Sequence, residues 1–267
     1  MKRIAIHGAP RSGTSWLGSI FDSSPNVVYR HQPLFSYAFK SYLDEYSNLE
    51  TIDSFFSQVA ATDDPFILQT DGKSKGAIPN FAKTCKEFLV YKEARYHNVI
   101  ENLLGKCDHI KVIGIVRNPL SVLSSWKLAP KEFNPAWDFN LEWKTAPKKN
   151  LGRREEFYGF NKWMEVSQLF EQLSNSYPDR FYLLDYSLLL ANTVEIVRQL
   201  FAFCGIPWNQ QTLSFLECST TRNHSEDPYS VFRINQRDDK WRDTLPEDIV
   251  RQIRQHLLES GLEKYID

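Results

Sequence analysis

Short runs of apolar, β-branched residues recur along the chain and alternate with segments of helical periodicity. These runs predict strands at about residues 3–8, 26–29, 87–92, 110–116 and 180–185. Strands that alternate with helices are typical of parallel β-α-β units. The sequence therefore predicts a three-layer α/β fold, in which helices cover both faces of a central, mostly parallel sheet of about five strands.

The helical segments are marked by their ends as well as by their periodicity. Asn192 and Glu195 have the spacing of a capping box, and Gly205 is placed to end the same helix. The apolar residues of that segment recur at helical spacing, at Val194, Val197, Leu200, Phe201 and Cys204. Further helices are predicted over about 13–23, over 97–105 and from Pro246 to about Ser260.

Residues 126–163 are the least regular part of the chain and combine many aromatic side chains with Lys and Pro. A loop of this length in a compact domain is usually functional or disordered, and so many aromatic residues argue against disorder. Two interpretations remain open. The segment is either a lid or wall of a binding site, or a surface loop and helix held in place by its aromatic residues.

Composition and charge describe a globular chain. The 267 residues are 42% hydrophobic and carry a formal net charge of −1, which fits a single domain over 1–267. This balance gives no support to nucleic-acid binding, which needs a basic face. No apolar run is long enough to span a membrane, and the first strand follows Met1 almost directly, so we expect a cytoplasmic protein.

Neither metal nor redox chemistry is indicated. The four cysteines lack the C-x-x-C spacing, and the six histidines form no H-E-x-x-H pattern. We expect Cys85, Cys107, Cys204 and Cys218 to be buried thiols.

The most informative segment is 4–16, an apolar strand that turns at Gly8 into a helix opening near Gly13. These two glycines lie five positions apart, the spacing of the phosphate loop G-x-x-x-x-G-K-[ST], but Thr14 occupies the position of the lysine. Arg11 is the cation of this loop. Backbone N–H groups at a helix N-terminus attract anions, so the loop is predicted to hold a phosphate-like group. Alternatively, the glycines serve only to turn the chain.

A second motif follows the predicted strand at 110–116, which is almost wholly apolar, as in a strand buried on both faces. Arg117 ends this strand, Pro119 suits the first position of a helix, and Ser125 lies eight residues after the arginine. A guanidinium offers a planar donor fork to a dianionic phosphate, and a hydroxyl adds a neutral donor. The alternative is that Arg-Asn-Pro is only a turn.

Together the two motifs resemble those of sulfotransferases that use 3′-phosphoadenosine 5′-phosphosulfate (PAPS), whose fold is similar to that of P-loop NTPases. Residues 10–16 resemble the 5′-phosphosulfate loop, with arginine as in tyrosylprotein, carbohydrate and many bacterial enzymes of the family. Arg117 and Ser125 match the 3′-phosphate motif. The resemblance implies transfer of a sulfuryl group from PAPS, without a metal, to a hydroxyl or amine of a small-molecule or glycan acceptor.

The same resemblance implies roles for individual residues. Arg11 would clamp the 5′ end of the donor with Ser12, Gly13, Thr14, Ser15 and Trp16. Lys92 matches a strand-end lysine that stabilises the transition state, although a surface lysine is the alternative. Further donor contacts are implied at Tyr186, at Arg233 and at Lys240.

The catalytic base is where this chain departs from the family, since Gln32 occupies the position of a glutamate in the carbohydrate and tyrosylprotein enzymes. An amide does not accept a proton at neutral pH. His31 is the predicted substitute because its intrinsic pKa is suitable. The other possibilities are that Gln32 only orients the acceptor or that another carboxylate or histidine is the base, with His97 and Asp71 the next candidates.

Two other functions compete with sulfuryl transfer. A P-loop kinase or NTPase would need the lysine absent at Thr14 and an aspartate where Arg117 ends its strand. A nucleotide-binding module without catalysis would explain Gln32. The sequence does not identify the acceptor or the oligomeric state.

Overall fold

The computed structural model describes residues 1–221 and 238–266. Its sheet contains β1 (Lys2–His7), β2 (Val27–His31), β3 (Phe88–Glu93), β4 (Lys111–Val116) and β5 (Phe181–Asp185). The strands are ordered β2-β3-β1-β4-β5, and every neighbouring pair is parallel. The predicted α/β fold with a parallel sheet is confirmed.

Helices connect these strands and cover the sheet. The α-helices are α1 (Thr14–Asp22), α2 (Leu49–Ala61), α3 (Pro65–Leu68), α4 (Thr70–Ser74), α5 (Ile100–Lys106), α6 (Pro119–Lys127), α7 (Phe139–Glu142), α8 (Pro147–Asn150), α9 (Phe160–Ser176), α10 (Tyr186–Ala191), α11 (Thr193–Cys204), α12 (Gln210–Thr221), α13 (Trp241–Thr244) and α14 (Glu247–Ser260). Single 3₁₀ turns lie at Pro33–Phe35, His97–Val99 and Glu263–Tyr265.

Each face of the sheet is buried beneath its own hydrophobic core. In β1, Ile4 and Ile6 belong to the core formed with α1, α11 and α12, whereas Ala5 belongs to the core formed with α2, α6, α9 and α14. In β4, Ile113 and Val112 divide between the two cores in the same way. Burial on both sides explains why these strands are apolar throughout, because neither face of the sheet is left to water.

The parallel arrangement brings the carboxyl ends of all five strands to one edge of the sheet. There the loops after β1 and β4 lead into α1 and α6, and the ends of β2 and β3 are in register, with His31 beside Lys92. The chain runs from β1 to β2 and β3 on one side and to β4 and β5 on the other. Such a switch of direction leaves a crevice outside the strand ends, which is where ligands bind in α/β proteins.

The helix that begins at Thr193 has the predicted bounds but lacks the predicted capping box. Asn192 makes no side-chain bond to the first turn, and Glu195 instead accepts a hydrogen bond from Gln199 Nε2 at 3.0 Å. The reason is that Asn192 also ends α10, where its N–H donates to the Leu188 carbonyl. Its backbone is therefore not in the extended conformation that directs a cap side chain at the helix.

The aromatic-rich segment 126–163 is packed into the core rather than lying over the sheet as a lid. Trp126 is 1% exposed and contacts Phe133 and Tyr158 with ring centroids 5.2 and 5.4 Å apart. Most other aromatic residues of the segment are also buried, at Phe139, Trp143, Phe157, Phe160 and Trp163. The aromatic residues thus hold the segment in place, as in the second interpretation, and the same packing makes Glu132 and Tyr158 part of a cavity wall, as in the first.

The four cysteines divide between core and surface. Cys107 and Cys204 are buried as predicted, whereas Cys85 is exposed and Cys218 is half-buried. The expectation was wrong for these last two, because Cys85 precedes β3 in a loop and Cys218 lies on the outer part of α12.

Candidate active site

A cavity of about 320 Å³ lies at the carboxyl edge of the sheet. From the loop after β1 and from α1 it is lined by Pro10, Arg11, Gly13, Thr14, Ser15, Trp16 and Ser19. From the ends of the other strands and from α6 it is lined by His31, Gln32, Lys92, Ala94, Arg95, Arg117, Ser125 and Tyr186. Gln69, Ile78, Glu132 and Tyr158 complete the wall.

The loop after β1 has a backbone that requires its glycines. A Cβ on Gly8 would lie 2.6 Å from Ile115 Cγ2 and 2.8 Å from the Ile115 carbonyl, and Gly13 has φ of +88°. Arg11 has φ of +74°, which is uncommon for a residue with a side chain. The first helical bond of α1 runs from Leu17 N–H to the Gly13 carbonyl. The N–H groups just before it therefore have no partner within the helix and are available to an anion.

Ser12 differs from its neighbours in this loop. Its N–H donates to the Ala9 carbonyl at 3.1 Å, its side chain is buried, and it does not line the cavity. Of the residues predicted for the clamp, Arg11 and 13–16 line the cavity, whereas Ser12 is packed beneath the loop. Trp16 is held by its Nε1, which donates to Ser219 Oγ at 3.3 Å, and its ring lies at an edge-on angle to Tyr186.

The two predicted phosphate motifs meet in space. Arg11 Nε donates to Ser125 Oγ at 3.1 Å, and Arg117 Nη1 donates to the Arg11 carbonyl at 2.7 Å. The Arg117 guanidinium also lies over the Tyr186 ring, 4.8 Å from its centroid. Arg117 Nε donates to the carboxylate of Asp238 at 2.9 Å, a partner that the sequence pattern does not reveal.

The other half of the cavity contains Lys92, which is 2% exposed at the end of β3. Burial lowers the pKa of its ammonium to about 8, which the charge of Glu93 partly opposes. The alternative that Lys92 is a surface lysine is therefore excluded. Next to it, burial and the charge of Lys92 hold the pKa of His31 well below its usual value. The Gln32 amide Nε2 lies 3.1 Å from His31 Nε2.

Three ionisable residues that line the cavity were missed from the sequence. Glu132 Oε2 lies 3.7 Å from Arg11 Nη1. Arg95 forms a buried ion pair with Glu156 at 2.8 Å, and its Nη2 donates to the Tyr158 hydroxyl at 3.2 Å. Glu132 and Tyr158 come from the aromatic-rich segment, where no motif marks them. Arg95 follows the strand-end Lys92 by three positions, and this second cation near the strand end could have marked it as a site residue.

The sequence was compared with those of known protein families. A family described as "Sulfotransferase family" matches residues 3–210, which include β1 to β5 and both phosphate motifs. The chain belongs to the sulfotransferase family.

Among curated sulfotransferases, carbohydrate sulfotransferase 3 of Tetronarce californica is 29% identical over 154 residues. The match covers 55% of this chain and 34% of that protein. The chain thus spans about a third of the length of this curated relative.

Solved sulfotransferase structures share the fold. Mouse sulfotransferase SULT7A1 complexed with PAP has a TM-score of 0.57 at 15% identity, covering 97% of this chain and 84% of that one. Retinol dehydratase in a complex with retinol and PAP has a TM-score of 0.54 at 13% identity, covering 96% of this chain and 80% of that one. At such low identity the likeness supports a common fold.

Several residues predicted for the site of this family member lie away from the cavity or outside the described residues. His97 is buried against His7, with their Nδ1 atoms 3.2 Å apart, and Asp71 lies in α4 outside the cavity lining. Lys240 is exposed at the start of α13 and does not line the cavity. Arg233 lies outside the described residues.

Two further features concern location and metals. In the part of the sulfotransferase that the structure describes, no helix is long and apolar enough to cross a membrane, and the cytoplasmic location stays a prediction. Among residues 1–221 and 238–266, no three His, Cys, Asp or Glu residues are grouped as metal ligands.

Proposed function

We propose that this chain transfers a sulfuryl group from PAPS to a hydroxyl or amine of a small-molecule or carbohydrate acceptor. The carrying observation is the contact of the two phosphate motifs, in which Arg11 bonds Ser125 and Arg117 bonds the Arg11 carbonyl. The proposal is also supported by membership of the sulfotransferase family and by the PAP bound in structures with the same fold.

The donor would lie between the ends of β1, β4 and β5. Arg11 and the N-terminus of α1 would hold the 5′-phosphosulfate, since both offer donors to a charged oxygen. Arg117 and Ser125 would hold the 3′-phosphate, and the rings of Trp16 and Tyr186, which line the same half of the cavity, would contact the adenine. Contacts from Arg233 and Lys240 stay predictions.

The acceptor would enter beside the ends of β2 and β3. In the reaction, an acceptor oxygen or nitrogen attacks the sulfur while the bond from sulfur to the 5′-phosphate oxygen breaks. Negative charge then grows on that leaving oxygen, and a nearby cation stabilises it. Lys92 is placed for this role because it is buried, lines the cavity and, with a pKa of about 8, is mostly protonated at neutral pH.

His31 stays the base predicted from the sequence, and the structure adds conditions to that role. Its lowered pKa means that the imidazole is neutral at pH 7 but only weakly basic. Its Nε2 also faces the Gln32 amide, and an NH₂ group is only a donor, so that nitrogen's lone pair is occupied while the bond is formed.

The proposed function is tested by incubating the protein with PAPS and a panel of phenols, amines and monosaccharide glycosides, and measuring PAP by chromatography. We expect acceptor-dependent PAP release, and calorimetric binding of PAP much tighter than of AMP, which lacks the 3′-phosphate. Arg117→Ala should weaken PAP binding by about 2 kcal/mol and bring it close to that of AMP. Equal binding of PAP and AMP to the wild type would contradict the 3′-phosphate site.

A further inference from the structure

Glu132 contributes the one carboxylate among the described residues that line the cavity. Its Oε2 atom is buried and has no hydrogen-bond partner, and the nearest cation, Arg11 Nη1, is 3.7 Å away, beyond hydrogen-bond distance. A buried polar atom that lacks a hydrogen-bond partner costs free energy and is uncommon. A carboxylate oxygen in this state, beside an open cavity, is available to a proton donor on a ligand.

The backbone of Glu132 is held by two hydrogen bonds, which place its Cα at the edge of the cavity. Its N–H donates to the Ala129 carbonyl at 2.9 Å, and its carbonyl accepts from Trp126 Nε1 at 3.2 Å. The next residue, Phe133, is 5% exposed and packs against Trp126. The aromatic packing thus places the residue that carries this carboxylate in the cavity wall.

Glu132 lies between the two halves of the cavity. It is an ion-pair partner of Arg11, which belongs to the proposed 5′ clamp. On the acceptor side, its negative charge raises the pKa of Lys92 and of Arg95, which burial lowers. It also raises the pKa of Tyr158, in the same direction as burial. Glu132 therefore lies beside the place where the sulfuryl group would pass from the donor to the acceptor.

We propose that Glu132 is the catalytic base of sulfuryl transfer and replaces the glutamate that is absent at Gln32. This proposal rests on the proposed function. The acceptor O–H proton moves to a carboxylate oxygen of Glu132 as the acceptor oxygen forms its bond to sulfur. The electron pair of the breaking S–O bond stays on the 5′-phosphate of PAP, and the proton passes to solvent, to which the Glu132 side chain is 24% exposed.

The experiment compares Glu132→Gln and Glu132→Asp with wild type at saturating PAPS. PAP release is measured with the best acceptor of the phenol and glycoside panel, and with water alone as acceptor. We expect kcat of Glu132→Gln to fall by about 10²–10⁴-fold, with part of the activity kept in Glu132→Asp and with PAP affinity changed by less than about threefold. The fall in rate on the acid side of the pH profile should disappear in Glu132→Gln. Glu155→Gln, a half-buried glutamate of the same segment outside the cavity, is the matched control and should behave as wild type.

The possible outcomes distinguish a failure of this proposal from a failure of the proposed sulfuryl transfer. A wild type that neither binds PAP nor releases it from PAPS overturns both. An active wild type with near-normal kcat in Glu132→Gln overturns the role of Glu132 alone, and loss of the acid limb in His31→Gln instead would assign the proton to His31. Weakened PAP binding with unchanged kcat would make Glu132 a support for Arg11, which also overturns the proposal.

Discussion

At the scale of single residues, the proposed donor site contains an internal anion. Arg117 bonds the carboxylate of Asp238, and Ser121 Oγ holds the Asp238 carbonyl at 2.7 Å, so this aspartate is anchored beside the guanidinium. Arg117 is also fixed by the Arg11 carbonyl and by the Tyr186 ring. A 3′-phosphate that binds the same guanidinium must therefore displace the carboxylate or share the donor fork with it.

Removing this internal anion should tighten donor binding. We expect Asp238→Asn to increase PAP affinity by about fivefold, or ~1 kcal/mol, the scale of a partly buried ion pair, and to leave AMP affinity nearly unchanged. Isothermal titration of both nucleotides measures this. Asp239→Asn, at an exposed neighbouring position, is the control. Weaker PAP binding in Asp238→Asn would show instead that the aspartate positions Arg117 for the phosphate.

The buried lysine predicts a specific pH dependence. Burial lowers the pKa of Lys92 to about 8, so its side chain is a charged ammonium below that pH and a neutral amine above it. If its charge stabilises the leaving oxygen, kcat should fall as pH rises through about 8. In Lys92→Arg, whose guanidinium stays charged, the fall should move to higher pH or vanish, even if the overall rate is lower. An unchanged basic limb in this variant would exclude Lys92 as its source.

At the scale of elements, the strand-turn-helix of β1 and α1 is fixed by close packing against β4. Gly8 sits where the loop crosses Ile115, and a Cβ there would contact both the backbone and the side chain of that residue. The loop conformation is therefore set by the sheet beneath it as well as by its own glycines. The aromatic-rich segment is likewise fixed by tertiary packing, because the contacts of its aromatic rings determine where Glu132 lies.

Gly8→Ala should consequently damage both stability and the site. The 2.8 Å approach to the Ile115 carbonyl cannot be relieved without moving β1 from β4, and we expect a loss of about 2 kcal/mol or more of unfolding free energy together with weaker PAP binding. Gly105→Ala is the control, because Gly105 lies in α5 with no atom within 4 Å of its added Cβ. That change should be neutral or stabilising by up to ~1 kcal/mol. Urea unfolding of both variants tests the contrast, which equal stabilities would refute.

At the scale of the whole molecule, sheet order and charge placement separate two tasks. The ends of β4 and β5 supply Arg117 and Tyr186 to the proposed donor half, and the ends of β2 and β3 supply His31 and Lys92 to the proposed acceptor half. Although the chain has a net charge of −1, the charged side chains of the described residues facing the cavity are four cations and one carboxylate. The local field suits an anionic nucleotide irrespective of the overall charge.

This concentration of fixed cations predicts activity without a divalent metal. In P-loop NTPases, Mg²⁺ and the loop lysine neutralise the transferred phosphate, whereas here Arg11, Lys92 and Arg117 would do so. We expect PAP release from PAPS to continue after treatment with EDTA and to change less than about twofold on addition of Mg²⁺. Activity abolished by EDTA and restored by Mg²⁺ would return the chain to the kinase or NTPase alternative.

The sequence alone determined the features that depend on local pattern. Gly8, Gly13 and Arg117 mark strand-to-helix turns because turn geometry and helix starts impose residue types at fixed spacing. The apolar runs predicted a parallel sheet because strands covered on both faces have no polar side. What the tertiary structure decided are contacts between distant positions. Asp238 meets Arg117 across 121 positions, and Glu132 reaches Arg11 only because aromatic residues fold its loop into the core, a packing outcome that no local spacing encodes.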